Sequence, residues 1–224
     1  MITRYAAALA TAVILTPSIG QAETFATSTD TLTRGSVPGD FPGFYGGSLT
    51  GTFPEALDEA TARASVLGAP DERFLSLPGV PDTPSSAPFP GAYVEVSFGS
   101  NFDPNSVLKI WETGDGQESA KVFLWGNNGG NVQFTFTRGA SDATSFDLSS
   151  YATALANIGG TLFTKVGIGG IDQLGTSKGF DLDAVSITTS PVPAVPEPEA
   201  YAMLMAGLGL IGFMVRRRNA RSAG

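Results

Sequence analysis

The chain predicts an all-β protein: an antiparallel, jelly-roll-like β-sandwich with one short helix, set between an N-terminal signal peptide and a single C-terminal transmembrane helix. Three observations carry this. From Tyr93 onward apolar residues recur with period two, in short runs separated by glycine-rich turns. No helical pattern intervenes between those runs, which excludes alternating strand–helix units and a parallel sheet. Both ends of the chain carry uncharged, mostly apolar stretches next to arginine, at Tyr5–Leu15 and Ala200–Val215.

Taken in order, Met1–Ala22 has the parts of a secretory signal peptide. Arg4 supplies the positive start and Tyr5–Leu15 the apolar run; Thr16-Pro17 breaks it, and Gly20-Gln21-Ala22 puts small residues where signal peptidase reads. Cleavage is expected after Ala22. Residues 23–53 are rich in Thr, Ser, Gly and Pro with little periodicity, and read as an irregular arm with a strand at Ser48–Phe53. The ectodomain then spans residues 54–188. Pro54–Val66 predicts its helix: Pro54 suits a first turn, Glu55, Asp58 and Glu59 fall where the helix dipole favours negative charge, and Ala56, Leu57, Ala60 and Ala64 form a weak apolar face. Pro78–Pro90 holds five prolines and reads as a surface loop.

Strands follow. Val94, Val96 and Phe98 alternate with polar neighbours; Val107–Glu112 and Lys121–Trp125 flank the turn Thr113–Gly116; Val132, Phe134 and Phe136 alternate after Gly126–Asn131, a segment tolerant of positive φ and suited to a hairpin. Leu162–Ile168 and Phe180–Thr188 complete the set. Thr189–Pro198 reads as a semi-rigid, polyproline-type stalk.

The tail, residues 195–221, has a fixed order: Val195-Pro196-Glu197-Pro198, an uncharged run from Ala200 to Val215, and then Arg216, Arg217, Arg218 and Arg221. At about 1.5 Å per helical residue the run falls slightly short of a ~30 Å hydrocarbon core, and spans it with Tyr201 at one headgroup layer and arginines snorkelling at the other. The arginines place that end on the cytoplasmic side. The tail also contains Gly207-Leu208-Gly209-Leu210-Ile211-Gly212, which fits a dinucleotide-binding fingerprint. No strand precedes it and no acidic residue follows at the needed distance, so the glycines are read as helix-packing positions. In sum the tail resembles the PEP-CTERM protein-sorting signal, with Pro196, Glu197 and Pro198 carrying the match. That resemblance implies recognition and removal by an exosortase, a membrane-embedded cysteine transpeptidase, in exopolysaccharide-producing Gram-negative bacteria.

The two ends agree: export puts residues 23–195 outside the inner membrane, and the tail holds the chain there until processing, with the cell surface or extracellular matrix as destination. Cysteine is absent, so the exported domain has no disulfide. The chain has 13 Lys and Arg against 21 Asp and Glu, a net −8. Setting aside Arg4, the four tail arginines, Glu197 and Glu199 leaves the exported part near −11. Nucleic acid needs a basic surface and is excluded as a partner. An acidic surface suits solubility, divalent cations or neutral carbohydrate.

No histidine is present, which removes Ser-His-Asp and Cys-His catalysis and histidine-ligated zinc. A carboxylate-pair hydrolase remains formally open. The most informative segment is Gly179–Val185. Strand alternation points Asp181 and Asp183 the same way as Val185 and Ile187, a costly placement unless the carboxylates are paired or hold a metal. A calcium ion would satisfy them, with Asp71, Glu112 and Asp103 as further oxygen donors; the other reading is an exposed strand end or a loop cap. Trp111 and Trp125 are candidate sugar-stacking residues, with Phe41, Phe44 and Tyr45 in the arm, although tryptophans in period-two strands also fit a core. Leu67–Asp71, Ile110–Glu112 and Gly179–Val185 together are similar to bacterial surface domains of the galactose-binding-like (discoidin-type) jelly roll. That resemblance implies a structural calcium held through a last-strand carboxylate, which Asp183 would supply. The expected function is a non-catalytic carbohydrate-binding or structural module of the extracellular polysaccharide. Its rivals are a carbohydrate-active enzyme using a carboxylate pair and a biofilm protein without a ligand.

Overall fold

The computed structural model describes residues 23–34, 43–51, 53–79, 89–114, 117–139, 141–175, 178–189 and 206–208. The chain divides into two units, Met1–Ser190 and Pro191–Gly224. The signal peptide, Phe41, residues 80–88 of the proline loop, the stalk beyond residue 189 and the sorting tail (apart from a short helical piece at residues 206–208) lie outside the described residues. Among the described residues no helix is long and apolar enough to cross a membrane.

The first unit is the predicted sandwich of two antiparallel sheets. Its strands are β1 (Glu23–Phe25), β2 (Ser28–Thr33), β3 (Phe44–Ser48), β4 (Glu55–Leu57), β5 (Arg73–Leu77), β6 (Tyr93–Ser97), β7 (Val107–Glu112), β8 (Ser119–Gly126), β9 (Asn131–Thr137), β10 (Ala143–Asp147), β11 (Phe163–Gly170) and β12 (Phe180–Thr188). Two short helices, α1 (Glu59–Ala64) and α2 (Ala152–Asn157), join them, the latter after a 3₁₀ turn at Leu148–Tyr151. One sheet runs β10-β7-β12-β5-β3-β4, with β1 also paired to β12; the other runs β2-β6-β11-β8-β9. From β6 onward every connection except the β8–β9 hairpin carries the chain from one sheet to the other.

Alternation decides which side chains meet between the sheets. Leu75, Leu77, Leu108, Ile110, Phe180, Leu182, Val185 and Ile187 of the first sheet face Val94, Val96, Val122, Leu124, Phe163, Val166 and Ile168 of the second. One side is closed by rings: Phe146 of β10 lies 4.9 Å from Phe134 and 5.0 Å from Phe136 of β9, and Phe136 lies 5.4 Å from Phe180.

Two expectations change. Residues 23–53 are not an irregular arm, because the described parts form β1, β2 and β3. Their hydroxyl-rich sequence hides the signal, yet Thr is β-branched and suits a strand that needs one apolar contact, here Leu32. The third strand ends at Ser48, where the sequence suggested one would begin. The helix is also shorter than Pro54–Val66. Glu55–Leu57 pairs with β3 instead, and Asp58 starts the helix by accepting the Thr61 amide at 2.7 Å.

At one end the sheets come unusually close. A Cβ on Gly170 of β11 would sit 1.6 Å from the Leu77 carbonyl oxygen of β5, so only glycine fits. Gly170→Ala should therefore destabilise the domain by about 1–3 kcal/mol or more in urea unfolding. Gly139→Ala, at an exposed position with open space around it, should stay within about 0.5 kcal/mol. Equal effects from the two changes would refute the close approach.

Candidate functional site

Strand ends converge at the same end of the sandwich and bring charge into it. Glu112 closes β7, Glu118 precedes β8, Arg138 follows β9 and Asp181 opens β12. Glu112 and Glu118 are each 2% exposed. The Nε of Arg138 lies 2.6 Å from Glu112 Oε2, and its Nη2 lies 2.7 Å from Asp142 Oδ1. Its Nη1 donates to the Gly114 carbonyl. A Cβ on Gly114 would be 3.8 Å from both Glu112 Oε1 and Asp181 Oδ2, so the two carboxyls flank that glycine. Asp181 Oδ1 accepts from the Ser76 hydroxyl at 2.6 Å.

One guanidinium shared this widely cannot neutralise the buried acids around it. Burial pushes both Glu112 and Glu118 above the usual carboxylate range, outweighing the attraction of Arg138. Their mutual charge and Asp181 add to the rise at Glu112; Asp172 adds to it at Glu118. Glu112 Oε2 has Arg138 as its ion-pair partner, while Glu112 Oε1 and Glu118 Oε2 have no hydrogen-bond donor among the described residues. A proton held between the two carboxyls is the local remedy, as in other close acid pairs.

The sequence-predicted metal residues are brought together in part. Asp183 Oδ1 accepts the Asp71 amide at 3.2 Å, and its Oδ2 accepts the Glu72 amide at 3.1 Å and the Thr113 hydroxyl at 3.2 Å. A positive φ of 67° at Glu72 turns these successive amides onto one carboxylate. The Asp71 carboxylate instead accepts the Arg73 amide, and Asp103 is engaged in its own turn with the Asn105 amide. Both oxygens of Asp183 are thus taken by donors of this chain. Among the described residues no group of three or more Asp and Glu side chains is gathered to hold a metal ion. Glu118 and Arg138 were not singled out from sequence. Their signal was faint: a charge directly abutting a period-two apolar strand, at its start and at its end.

The two tryptophans occupy different sheets and do not form one platform. Trp111, between Ile110 and Glu112 on β7, lies on the outer side of the first sheet, with its ring 5.4 Å from Phe25 and the Lys109 ammonium 4.5 Å from its centroid. Trp125 lies on the outer side of the second sheet. Both are half-buried and stand outside the core, because the core positions beside them belong to Ile110 and Leu124. Trp125 Nε1 donates to the Tyr93 hydroxyl at 3.1 Å, which donates to Glu95 Oε1 at 2.9 Å. Lys165 Nζ lies 2.6 Å from Glu95 Oε2, and Thr31 also donates to that oxygen. Of the arm aromatics, Phe44 packs against the core and the Tyr45 hydroxyl donates to the Lys178 carbonyl.

Comparison with known proteins decides the tail. Residues 194–218 carry the PEP-CTERM protein-sorting motif. The motif implies an exported chain that passes through the membrane and is processed by an exosortase. It covers the tail alone, and no curated protein matches the chain. Among solved structures, a Streptococcus pneumoniae fucose binding module is similar at 18% identity with a TM-score of 0.31, over 44% of this chain. The match spans 66% of that module's length, just under two thirds.

The buried acids fix a pH dependence. Carboxyls raised in the folded state bind protons that the unfolded chain has already released. Stability is therefore greatest near the ordinary carboxylate range and falls as pH rises through the raised values. The melting temperature should drop between about pH 5 and about pH 9. Glu112→Gln, which keeps a donor where the proton sits, should flatten the decline and melt above the wild type at the alkaline end. Parallel curves for the two proteins would count against a shared proton.

Proposed function

We propose that this chain is a surface or matrix protein delivered by the PEP-CTERM pathway, whose sandwich is a non-catalytic module that binds extracellular polysaccharide. The observation that supports it most directly is the sorting motif at residues 194–218. The preceding unit is a β-sandwich without cysteine or histidine, outside the apolar run of the tail. Its expected partners are signal peptidase and the exosortase in transit, the inner membrane before processing, and polysaccharide afterwards.

The geometry argues against the hydrolase reading. The carboxyls that this fold brings side by side, Glu112 and Glu118, are sealed at 2% exposure and engaged with Arg138 or with each other. A glycosidase needs two carboxyls flanking an open cleft wide enough for a sugar and, in inverting enzymes, a water. Half-buried Trp125, with its orientation fixed through Tyr93, is the better binding feature, since a positioned aromatic ring loses little freedom when a ligand arrives.

Two measurements test this reading. Changing Glu197 or Pro198 to alanine should leave a larger, unprocessed form in the inner membrane; unchanged size and location would remove the sorting claim. The purified exported domain should retain at least one polysaccharide on a glycan array. A blank array together with loss of cell aggregation on deletion would favour a structural matrix protein without a ligand.

A further inference from the structure

We propose that the outer face of the five-stranded sheet, along β8 and β9, is the polysaccharide site, and that it selects chains bearing carboxylate or sulfate groups. This rests on the carbohydrate-binding reading above and names its surface and ligand class.

The argument begins with register. Across β8 and β9 the partners are Lys121 with Thr135, Phe123 with Gln133, and Trp125 with Asn131, and antiparallel partners share a face. A row of one ammonium, the buried Phe123 ring and one half-buried indole therefore runs beside a row of one hydroxyl and two amides, and Lys121 and Trp125 are the groups of the first row that a ligand can reach. From Lys121 to Trp125 the row extends about 13 Å, at roughly 3.3 Å per residue. On the other flank β8 meets β11, where Phe123 is opposite Gly167 and Lys121 is opposite Gly169. These glycines are filled from above. A Cβ on Gly167 would be 2.0 Å from the Tyr93 hydroxyl, and one on Gly169 would be 2.3 Å from the Phe89 ring. Phe89, Tyr93 and Phe123 consequently pack together, with centroids 5.2–6.0 Å apart. They form a rigid shoulder against which Trp125 is tied.

Charge then chooses the ligand. Glu95 lies within this face, 5% exposed, with oxygens that accept from Tyr93, Thr31 and Lys165, and Asp172 beside the start of β8 accepts the Ser119 and Leu174 amides. The charge of Glu95 is thus spent on the protein. Lys165 stands 5.1 Å from the Trp125 centroid and Lys121 stands 5.8 Å from that of Phe123. Among the described residues Lys121 has no carboxylate partner. Asp30, bonded to Ser97, belongs to β2 at the far side of the sheet, three strands from β8. Ammonium groups perched on aromatic rings leave those rings less open to a neutral sugar and offer it no charge to meet. A sugar acid meets the ammonium directly, while its hydroxyls find the Gln133 and Asn131 amides. The exported part's net charge near −11 does not override this, because charges beyond the ~8 Å screening length at physiological salt contribute little.

The test is affinity electrophoresis of the exported domain in gels containing polygalacturonate, or dextran as the neutral control. Polygalacturonate should retard the wild type, and added salt should weaken the effect. Lys121→Gln should lower the affinity about fivefold, the size of one exposed ion pair. Gln133→Ala should lower it further, and Trp111→Ala, on the opposite sheet, should leave it unchanged. Melting temperatures equal to the wild type establish that the variants are folded. Equal retardation by dextran, or no response to Lys121→Gln, would overturn the proposed ligand class while leaving carbohydrate binding intact. Loss of binding in Trp111→Ala alone would move the site to the other sheet. Retention of no glycan in any gel or on any array would instead sink the binding function on which this proposal rests.

Discussion

A strand buried along eight of its nine residues cannot carry two aspartates unless the surrounding chain supplies donors, and β12 makes that demand on everything near it. Leaving one carboxylate unpaired there would cost several kcal/mol. The response is spread over the sequence. Asp183 draws in the amides of residues 71 and 72 and the Thr113 hydroxyl, and Asp181 draws in Ser76. The Glu72 backbone accepts a left-handed conformation, rare in a residue with a side chain, because doing so satisfies a buried charge. The β5 entry loop, the end of β7 and the start of β12 are fastened together by these bonds. The sheets can then approach closely enough at Gly170 to exclude any larger residue.

The strands that the sequence made legible are those whose own apolar residues anchor them in the core. Val107–Glu112 and Phe180–Thr188 have the predicted bounds, and the Gly126–Asn131 turn is the expected hairpin. In β7 burial on one face forces period two; β12 is buried on both faces, and a register shift between Leu182 and Ala184 lets Phe180 and Leu182 before it and Val185 and Ile187 after it all join the core. Legibility fails where a strand is held by its neighbours more than by its own apolar residues. Strand β2 reads Ser-Thr-Asp-Thr-Leu-Thr, with Leu32 as its buried apolar contact; its place is set by pairing with β6 and by Thr29 bonding to the Arg63 carbonyl. The helix boundary failed for a related reason. Glu55–Leu57 has good helical residues, but β3 offers those backbones ladder partners first, and Asp58 is the better cap.

At the candidate site the sequence located a problem and missed half of its answer. Asp181 and Asp183 stood out because carboxylates alternate there with core residues. Glu118 and Arg138 did not, because a charge beside a turn ordinarily faces solvent. Only the tertiary convergence of β7, β8, β9 and β12 places them together at a few per cent exposure. The tryptophans show the opposite case. Sequence spacing assigned them to strands and left open whether they face the core or a sugar; the structure puts each on the face opposite its core neighbours, Ile110 and Leu124. Which sheet each strand joins decides whether they could act together, and pairing partners far along the chain settle that.

Cysteine-free export sharpens the role of the buried acids. A domain that leaves the cell without disulfides must be stabilised by its core and by its internal polar contacts. Replacing Glu112, Glu118 and Arg138 by apolar residues of similar volume would in general lose little stability, since buried ion pairs are weak stabilisers. What such a cluster does supply is selectivity among ways of closing that end. Each alternative pairing of β7, β8 and β9 would strand a charge without its proton or its guanidinium. These acids are thus used up inside the protein, and Glu95 is paired with Lys165, whereas Lys121 of the outer sheet has no carboxylate partner among the described residues. An acidic chain consequently meets a surface whose own carboxylate is already spoken for, which is why the same net negative protein can carry a face suited to anions.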